Sequence, residues 1–282
     1  MAEVSARDAL GAAVDALRAV GVEDPRLDAE VLLAAATGSD RAALVAGAAV
    51  TPAASRTFAA MVRRRLRREP VAYIVGVRGF RNIELAVDRR VLIPRPETEL
   101  LVELALEREA ASVLDVGTGS GAIALAIADE LPGCEVTATD TSTGALEVAR
   151  ANAARLGLAE RVRFHAGTLP EQGEFDLVLA NLPYVAEPDW AGLQPEVTQW
   201  EPREALLAGP DGLDAYRALL PTCGSPLYPY ASQRTAATSC LAVEVGEGQA
   251  EAVAALMRGA GYERTEARRD LAGIERVVVG ER

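Results

Sequence analysis

The chain has 282 residues, half of them hydrophobic and a quarter charged, with 24 Gly and 15 Pro. This is a globular composition for one or two domains, and it excludes disordered, collagen-like and low-complexity classes. The formal net charge is −12, but residues 1–70 carry 10 Arg and 9 acids while 71–282 carry 19 Arg and 32 acids, so a polyanionic substrate is disfavoured for the larger part.

All 29 basic residues are Arg. No apolar run reaches the roughly 18 residues of a membrane span, and Met1–Asp8 has acids and no long apolar core, unlike a signal peptide. Cys134, Cys223 and Cys240 are widely spaced and contain no CxxC. They predict neither a disulfide framework nor a metal site, and a reducing cytoplasm suits them.

Residues 1–70 read as helices. Ser5 caps a first helix with Asp8 in its first turn. Leu10, Val14, Leu17 and Val20 recur at helical spacing, and Gly21 stops it. Pro25 opens a second helix through Ala36, ended by Gly38, and a short third runs from Asp40 to Ala46. Thr51 and Pro52 cap and open a fourth, which ends before Pro70. That helix carries Arg63, Arg64, Arg65, Arg67 and Arg68. Two readings stand: a solvated cationic face at a helix C-terminus, or a docking patch for an acidic or nucleic-acid surface.

Residues 71–93 change character. Val71–Val75 and Ile83–Val87 read as strands separated by Gly76, Gly79 and Asn82, which predicts a β-hairpin linker. Two prolines then suppress regular structure in Ile93-Pro94-Arg95-Pro96-Glu97-Thr98-Glu99, and a helix follows to about Arg108. From Ser112 strands and helices alternate: Ser112–Val116, a helix from Ala122, Glu135–Thr139, a helix Thr143–Leu156, Val162–His165 and Phe175–Ala180. Such alternation predicts βαβ units in an α/β fold, a parallel sheet with helices on both faces.

The first of those strands runs into Asp115-Val116-Gly117-Thr118-Gly119-Ser120-Gly121. Glycines let the backbone approach a ligand closely, and ligands bind at the carboxyl edge of a parallel sheet. A dinucleotide site spaces its glycines G-x-G-x-x-G to seat a pyrophosphate. Here the spacing is D-x-G-x-G-x-G, and the Asp115 carboxylate suits S-adenosylmethionine, whose ammonium and sulfonium replace the phosphates. Asp140, ending the second strand, can take both ribose hydroxyls. The plain alternative is a glycine turn that serves packing alone.

The strand ending at Ala180 runs into Asn181-Leu182-Pro183-Tyr184. This resembles the N-P-P-Y motif of methyltransferases acting on a planar amine or amide nitrogen. An amide nitrogen is a poor nucleophile because its lone pair is delocalised. The Asn181 side-chain oxygen and the carbonyl of Leu182 can each accept one N–H, and Tyr184 can cover the flat group, so displacement depends on positioning and electrostatics. Asn and Pro are also common in strand-end turns. Leu182 stands where the motif has proline; it keeps the acceptor carbonyl, and Pro183 biases it toward extended geometry. No metal is needed, and His165 reads as a strand residue and not a base.

Taken together, the chain resembles the PrmC/HemK-type glutamine N5-methyltransferases that modify class 1 peptide chain release factors. The resemblance spans nearly the whole sequence. It includes Tyr73-Ile74-x-Gly76, Val91–Glu99, Asp115–Leu125, Asn181–Tyr184, Glu201-Pro202-x-x-Ala205-Leu206, Asp211-Gly212-Leu213, Glu244-x-Gly246-x-x-Gln249 and Asp270–Gly273. It implies a Rossmann-like class I S-adenosylmethionine-dependent domain at 94–282, a helical substrate-docking domain at 1–70 and the linker at 71–93. It also implies a cofactor site of Gly117, Thr118, Gly119, Ser120, Gly121, Asp140, Thr168 and Asn181, and a grip on the glutamine amide by Asn181–Tyr184. The expected substrate is the glutamine of the release factor's Gly-Gly-Gln loop. No stable nucleic-acid or membrane partner and no obligate oligomer is expected. An adenine or guanine N-methyltransferase is the rival enzyme, and an inert adenosylmethionine-binding scaffold the non-enzyme rival.

One stretch departs from this pattern. Residues 215–243 contain no Asp or Glu, and hold two of the three Cys and three of the six Tyr. A surface insertion and a local shift of reading frame both fit, with family-like sequence resuming at Leu241-Ala242-Val243-Glu244.

Overall fold

In the computed structural model, which describes residues 4–45, 49–170, 175–223 and 240–282, the chain divides into two units. The first comprises Met1–Val77 with a returning segment, Gln194–Trp200; the second comprises Arg78–Leu193 and Glu201–Arg282.

The first unit is built on helical periodicity. β1 (Val4–Ser5) pairs antiparallel with β2 (Ala49–Val50). Around them lie α1 (Ala6–Ala19), α2 (Pro25–Thr37), α3 (Arg41–Val45), α4 (Pro52–Arg65) and α5 (Val71–Val75). The expected caps form: Ser5 Oγ accepts the Asp8 N–H at 3.1 Å, and Thr51 Oγ1 accepts the Ala54 N–H at 3.2 Å. Leu10, Leu17, Leu32, Leu33, Phe58 and Val62 meet in one core. Val20 instead sits past the end of α1 and is 40% exposed. The expected end of the third helix at Ala46 lies outside the described residues.

Residues 71–75, expected to be a strand, are helix α5. The Tyr73 and Ile74 N–H groups both donate to the Pro70 carbonyl, and the Gly76 N–H closes the turn onto Ala72. A run rich in Val, Ile and Tyr reads as strand by propensity, but burial decides: Ile74 joins the helical core. The hairpin comes later, as β3 (Val77–Phe80) paired with β4 (Ile83–Ala86).

The arginine run is also not a solvated face. Arg64 forms a two-point ion pair with Glu69, 2.8 and 2.6 Å. Arg65 is buried and reaches Asp28 at 2.6 Å and Glu196 at 2.7 Å. Arg68 pairs with both oxygens of the same Glu196. Glu196 lies on the returning segment, in α9 (Pro195–Trp200). Only Arg63 and Arg67 of the five are exposed.

In the second unit a 3-10 turn (Pro96–Thr98) leads into α6 (Glu99–Glu107). The βα alternation follows within two residues of its expected bounds: β5 (Ser112–Val116), α7 (Ala122–Glu130), β6 (Glu135–Asp140), α8 (Thr143–Arg155), β7 (Val162–Ala166) and β8 (Leu177–Ala180). Then come α10 (Asp214–Cys223), β9 (Cys240–Glu244), α11 (Ala250–Gly259), β10 (Arg264–Arg269) and β11 (Glu275–Glu281). The sheet order is β10-β11-β9-β8-β5-β6-β7. The five strands from β9 to β7 are parallel; β11 runs antiparallel to both β9 and β10, so the sheet is mixed and not wholly parallel. Alternate residues face opposite cores: Val113, Leu177, Leu179 and Ala242 pack into one, and Leu114, Val116, Leu241 and Val243 into the other. β5 lies between β6 and β8, where the strand order reverses, and there a ligand crevice is expected.

Of the acid-free stretch, residues 215–223 belong to α10 and 240–243 to β9; β9 is buried on both faces, which accounts for the lack of acids in 240–243. Residues 224–239 lie outside the described residues. Among the described residues no helix is long and apolar enough to cross a membrane.

Candidate active site

The glycine loop leaves the carboxyl end of β5 and turns into α7. The Gly117 and Thr118 N–H groups both donate to the Thr139 carbonyl at 2.9 Å, tying the loop to the end of β6. Asp140 completes the tie: its Oδ2 accepts the Gly119 N–H at 2.9 Å and its Oδ1 the Ser142 N–H at 2.8 Å. Each carboxylate oxygen retains further acceptor capacity. Gly121 is needed for packing: it sits at φ +86°, and a Cβ there would lie 2.8 Å from Leu125 Cδ1.

Asp115 is fully buried and does not line the cavity. Its Oδ2 accepts the Thr118 hydroxyl at 2.6 Å and the Ala124 N–H at 3.2 Å, bracing the loop from behind, while Oδ1 has no partner among the described residues. Burial pushes its pKa up to about 7, against the opposing pull of those two hydrogen bonds. Its influence on a ligand therefore passes through the loop and through its charge, not through contact.

The loop borders a cavity of about 300 Å³, at the small end of the roughly 300–1,000 Å³ range of ligand sites. Gly117, Thr118, Gly119, Ser120, Asp140, Thr168, Asn181, Leu182 and Pro183 line it together, as the sequence groups them. Gly121 and Tyr184 lie outside its lining. Other walls carry no role in the sequence reading: Val91, Leu92 and Pro94 on one side, Pro202, Glu204 and Ala205 elsewhere. The first wall is stapled by buried Glu201, whose Oε2 accepts the Ile93 N–H at 3.1 Å and whose Oε1 pairs with Arg95 at 2.5 Å. Two prolines that forbid regular structure, followed far downstream by a Glu-Pro pair, were the available signal.

The Asn181 motif is anchored from behind. Asn181 Nδ2 donates to Thr98 Oγ1 at 3.0 Å, and the Thr98 hydroxyl in turn meets Glu244 Oε2 at 2.6 Å. The Tyr184 phenol donates to the other oxygen, Glu244 Oε1, across a long 3.4 Å. The Tyr184 carbonyl accepts from Gln249 Nε2 at 2.9 Å, and the Gln249 Oε1 takes the Gly246 N–H at 3.0 Å. Gly212 must be glycine: at φ +75°, a Cβ would fall 2.3 Å from the Tyr184 carbonyl oxygen. Thr98, Glu244 and Gln249 stood in the sequence motifs without a role, because residues 98, 181 and 244 meet only once β8 and β9 pair.

Burial pushes Glu244 up to about 7, with Glu97 adding to the rise and Thr98, Tyr184 and Arg276 opposing it. Burial likewise raises the Tyr184 phenol, so it stays protonated at neutral pH. His165 is exposed, on β7.

Residues 8–76 match the PrmC N-terminal domain, and residues 113–200 match a methyltransferase domain. The chain is 42% identical over 267 residues to the release factor glutamine methyltransferase of Geobacter sulfurreducens, covering 92% of this chain and 90% of that protein. It is 43% identical over 279 residues to the release factor glutamine methyltransferase of Cereibacter sphaeroides, covering 97% of each. Among solved structures, the hMettl16 catalytic domain in complex with a MAT2A 3′UTR hairpin is 14% identical with a TM-score of 0.52, over 84% of this chain and 85% of that one. That likeness is one of fold alone. With a methyltransferase sheet, an Asn-Leu-Pro-Tyr motif at its edge and over 40% identity to these relatives across more than nine-tenths of its length, the chain belongs to the release factor glutamine methyltransferase family.

Proposed function

We propose that this enzyme transfers a methyl group from S-adenosylmethionine to the side-chain amide nitrogen, N5, of the glutamine in the Gly-Gly-Gln loop of class 1 peptide chain release factors, acting as a cytoplasmic monomer. One observation carries the reading. Asn181 Nδ2 is committed to Thr98, which leaves Oδ1 as the acceptor end. Neither that oxygen nor the adjacent Leu182 carbonyl accepts a hydrogen bond among the described residues, and both residues line the cavity. Two neighbouring unused acceptors match the two N–H groups of a primary amide.

The donor set fits the cofactor. Asp140 on the cavity wall makes the surroundings anionic, which suits a sulfonium and an ammonium better than a pyrophosphate. Residues 117–120, Asp140 and Asn181 would hold it, with Thr168 at the adenine end. When bound, the group supplies an electrophilic methyl. Asn181 and the Leu182 carbonyl orient the amide nitrogen and, by accepting its protons' partial charge, keep electron density on nitrogen as the new bond forms. Pro183 stiffens the approach, and Tyr184 steadies the motif through its carbonyl and phenol. The product nitrogen loses its extra proton to solvent; no side chain here is needed as a strong base.

Tritiated S-adenosylmethionine tests the reading with three acceptors: purified release factor, its Gln-to-Ala variant, and nucleic acid. Label on the first alone is expected. Label on nucleic acid alone would establish the adenine or guanine rival, against which the acid excess of residues 71–282 already argues. No label on any acceptor would favour the inert scaffold.

Two further outcomes follow from the site and from the first unit. The Leu182 N–H makes no hydrogen bond among the described residues, so Leu182→Pro breaks none and restricts the backbone that carries the acceptor carbonyl. Its kcat should equal or exceed that of wild type in the same assay; a large fall would contradict the acceptor role of residue 182. In the docking domain only the exposed Arg63 and Arg67 remain from the arginine run to meet an acidic partner surface. Reversing both to Glu should raise KM for the release factor and leave kcat unchanged. An unaltered KM removes them from docking.

A further inference from the structure

We infer that Glu244 is a positioning residue for methyl transfer: its ionised carboxylate orients the Asn181 amide through Thr98 with one oxygen and steadies the Tyr184 phenol with the other. The inference rests on the proposed amide-binding role of Asn181–Tyr184.

The argument begins with hydrogen-bond direction. Asn181 has a donor end and an acceptor end, and which one faces substrate is set by what the other end touches. Thr98 has one hydroxyl proton. If Glu244 is ionised it can only accept, so the Thr98 proton points to Oε2 at 2.6 Å. The Thr98 oxygen is then an acceptor for Asn181 Nδ2 at 3.0 Å, and Oδ1 is turned to the amide. The same carboxylate accepts the Tyr184 phenol at Oε1. Protonating Glu244 converts one of its two oxygens into a donor. One of the two converging hydroxyls must then reverse: Tyr184, or Thr98, whose own proton is freed from the carboxylate and on turning to Asn181 selects the flipped amide, which presents N–H to N–H.

The surroundings are built to hold this carboxylate in place. Glu244 is 2% exposed at the end of β9. Its backbone carbonyl accepts the Tyr216 phenol at 2.7 Å. The charged groups acting on it are Glu97, which raises its pKa, and Arg276, which lowers it; Arg95 and Arg276 also act on Tyr184. Burial outweighs Arg276 and pushes the carboxyl up to about 7, so its protonation changes near neutrality. A buried carboxylate behind the cavity wall, without a direct ion pair among the described residues and serving two residues of the motif, is a stability cost retained for orientation.

The sign of that cost supplies the test. Glu244 is raised in the folded state, so its protonated form favours folding, and stability is lost as pH rises through about 7. Activity runs the other way, since the ionised form is the one that positions Asn181. Wild-type kcat should therefore show an acidic limb centred near neutrality. Glu244→Gln should abolish that limb and hold kcat about 10–100-fold below the wild-type high-pH plateau, the usual loss on removing a partner that orients an active-site group, with KM for the release factor little changed. Its Tm at pH 8 should match or exceed that of wild type. Thr98→Val should lower kcat similarly by cutting only the Asn181 arm, and Thr98→Ser should restore it. Wild-type label on the glutamine, with Glu244→Gln keeping both the limb and the plateau, overturns this inference alone. A fall in kcat matched by a fall in Tm, without loss of the limb, also overturns it as a merely structural effect. No label from wild type on any acceptor overturns the proposed function and this inference with it.

Discussion

Asn181→Ala should lower kcat for release factor methylation by about 10²–10³-fold, the usual effect of deleting one preorganised group that acts on developing charge, with the melting temperature nearly unchanged. The side chain is half-buried and makes one hydrogen bond among the described residues, from Nδ2 to Thr98. Its loss therefore leaves Thr98 with an unused acceptor lone pair and little else, whereas the substrate amide loses the oxygen that aligns it. Asn181→Asp sharpens the point. The carboxylate keeps an acceptor toward substrate but replaces the N–H donor to Thr98 with a second acceptor. Thr98 would then face Glu244 and Asp at once with a single proton, and two carboxylates would share one hydroxyl. Asn181→Asp should consequently be impaired nearly as much as Asn181→Ala, although it is the closer isostere. Steady-state kinetics at saturating S-adenosylmethionine with purified release factor decide it. An Asn181→Ala enzyme with wild-type kcat would remove this residue from the reaction.

The parts of this site that sequence exposes are those whose chemistry is local. Gly117–Gly121 and Asp140 are tied by the β5 and β6 register, one βα unit apart, so spacing along the chain already placed them on one edge. The Asn181 motif follows its own strand directly. The parts that spacing hides are set by pairing between distant strands. Glu244 reaches Thr98 across 146 residues and Glu201 reaches Arg95 across 106; no periodicity links them. Asp115 is a different case. Its position in the motif was visible, but a strand residue's face depends on which neighbours cover it, and β5 is buried on both sides. Val71–Val75 shows the limit of propensity: a run of five apolar residues, three of them β-branched, became helix because Pro70 and Gly76 bound a single turn and the helical core has room for Ile74.

The arginine run was misleading for a related physical reason, and Arg65 is where the consequence is greatest. A string of like charges reads as solvent-facing because each guanidinium is costly to bury alone. Arg65 is buried because it is not alone: Asp28 lies at 2.6 Å and Glu196 at 2.7 Å, and its Nη1 also donates to the Glu69 carbonyl at 3.3 Å. Burial pushes Asp28 above the usual carboxylate range despite the Arg65 hydrogen bond. In Glu196 burial is outweighed by Arg68 and Arg65, and it falls below that range. Arg65→Met keeps an unbranched apolar stem and removes the charge, leaving Asp28 buried without its partner while Glu196 keeps Arg68. Breaking one side of a buried pair typically costs about 3–5 kcal/mol, and that loss is expected in urea unfolding of the full chain. Arg65→Lys should recover only part of it, since a single ammonium cannot serve Asp28, Glu196 and the Glu69 carbonyl in the planar fork that Arg provides. The pH dependence identifies the cause. Without Arg65 the Asp28 carboxyl rises further in the folded state, so its protonated form is the one folding favours, and the deficit of Arg65→Met should narrow as pH is lowered and widen toward neutrality. A deficit independent of pH would mean that the lost contribution was packing of the guanidinium end of the side chain and not the unpaired charge on Asp28.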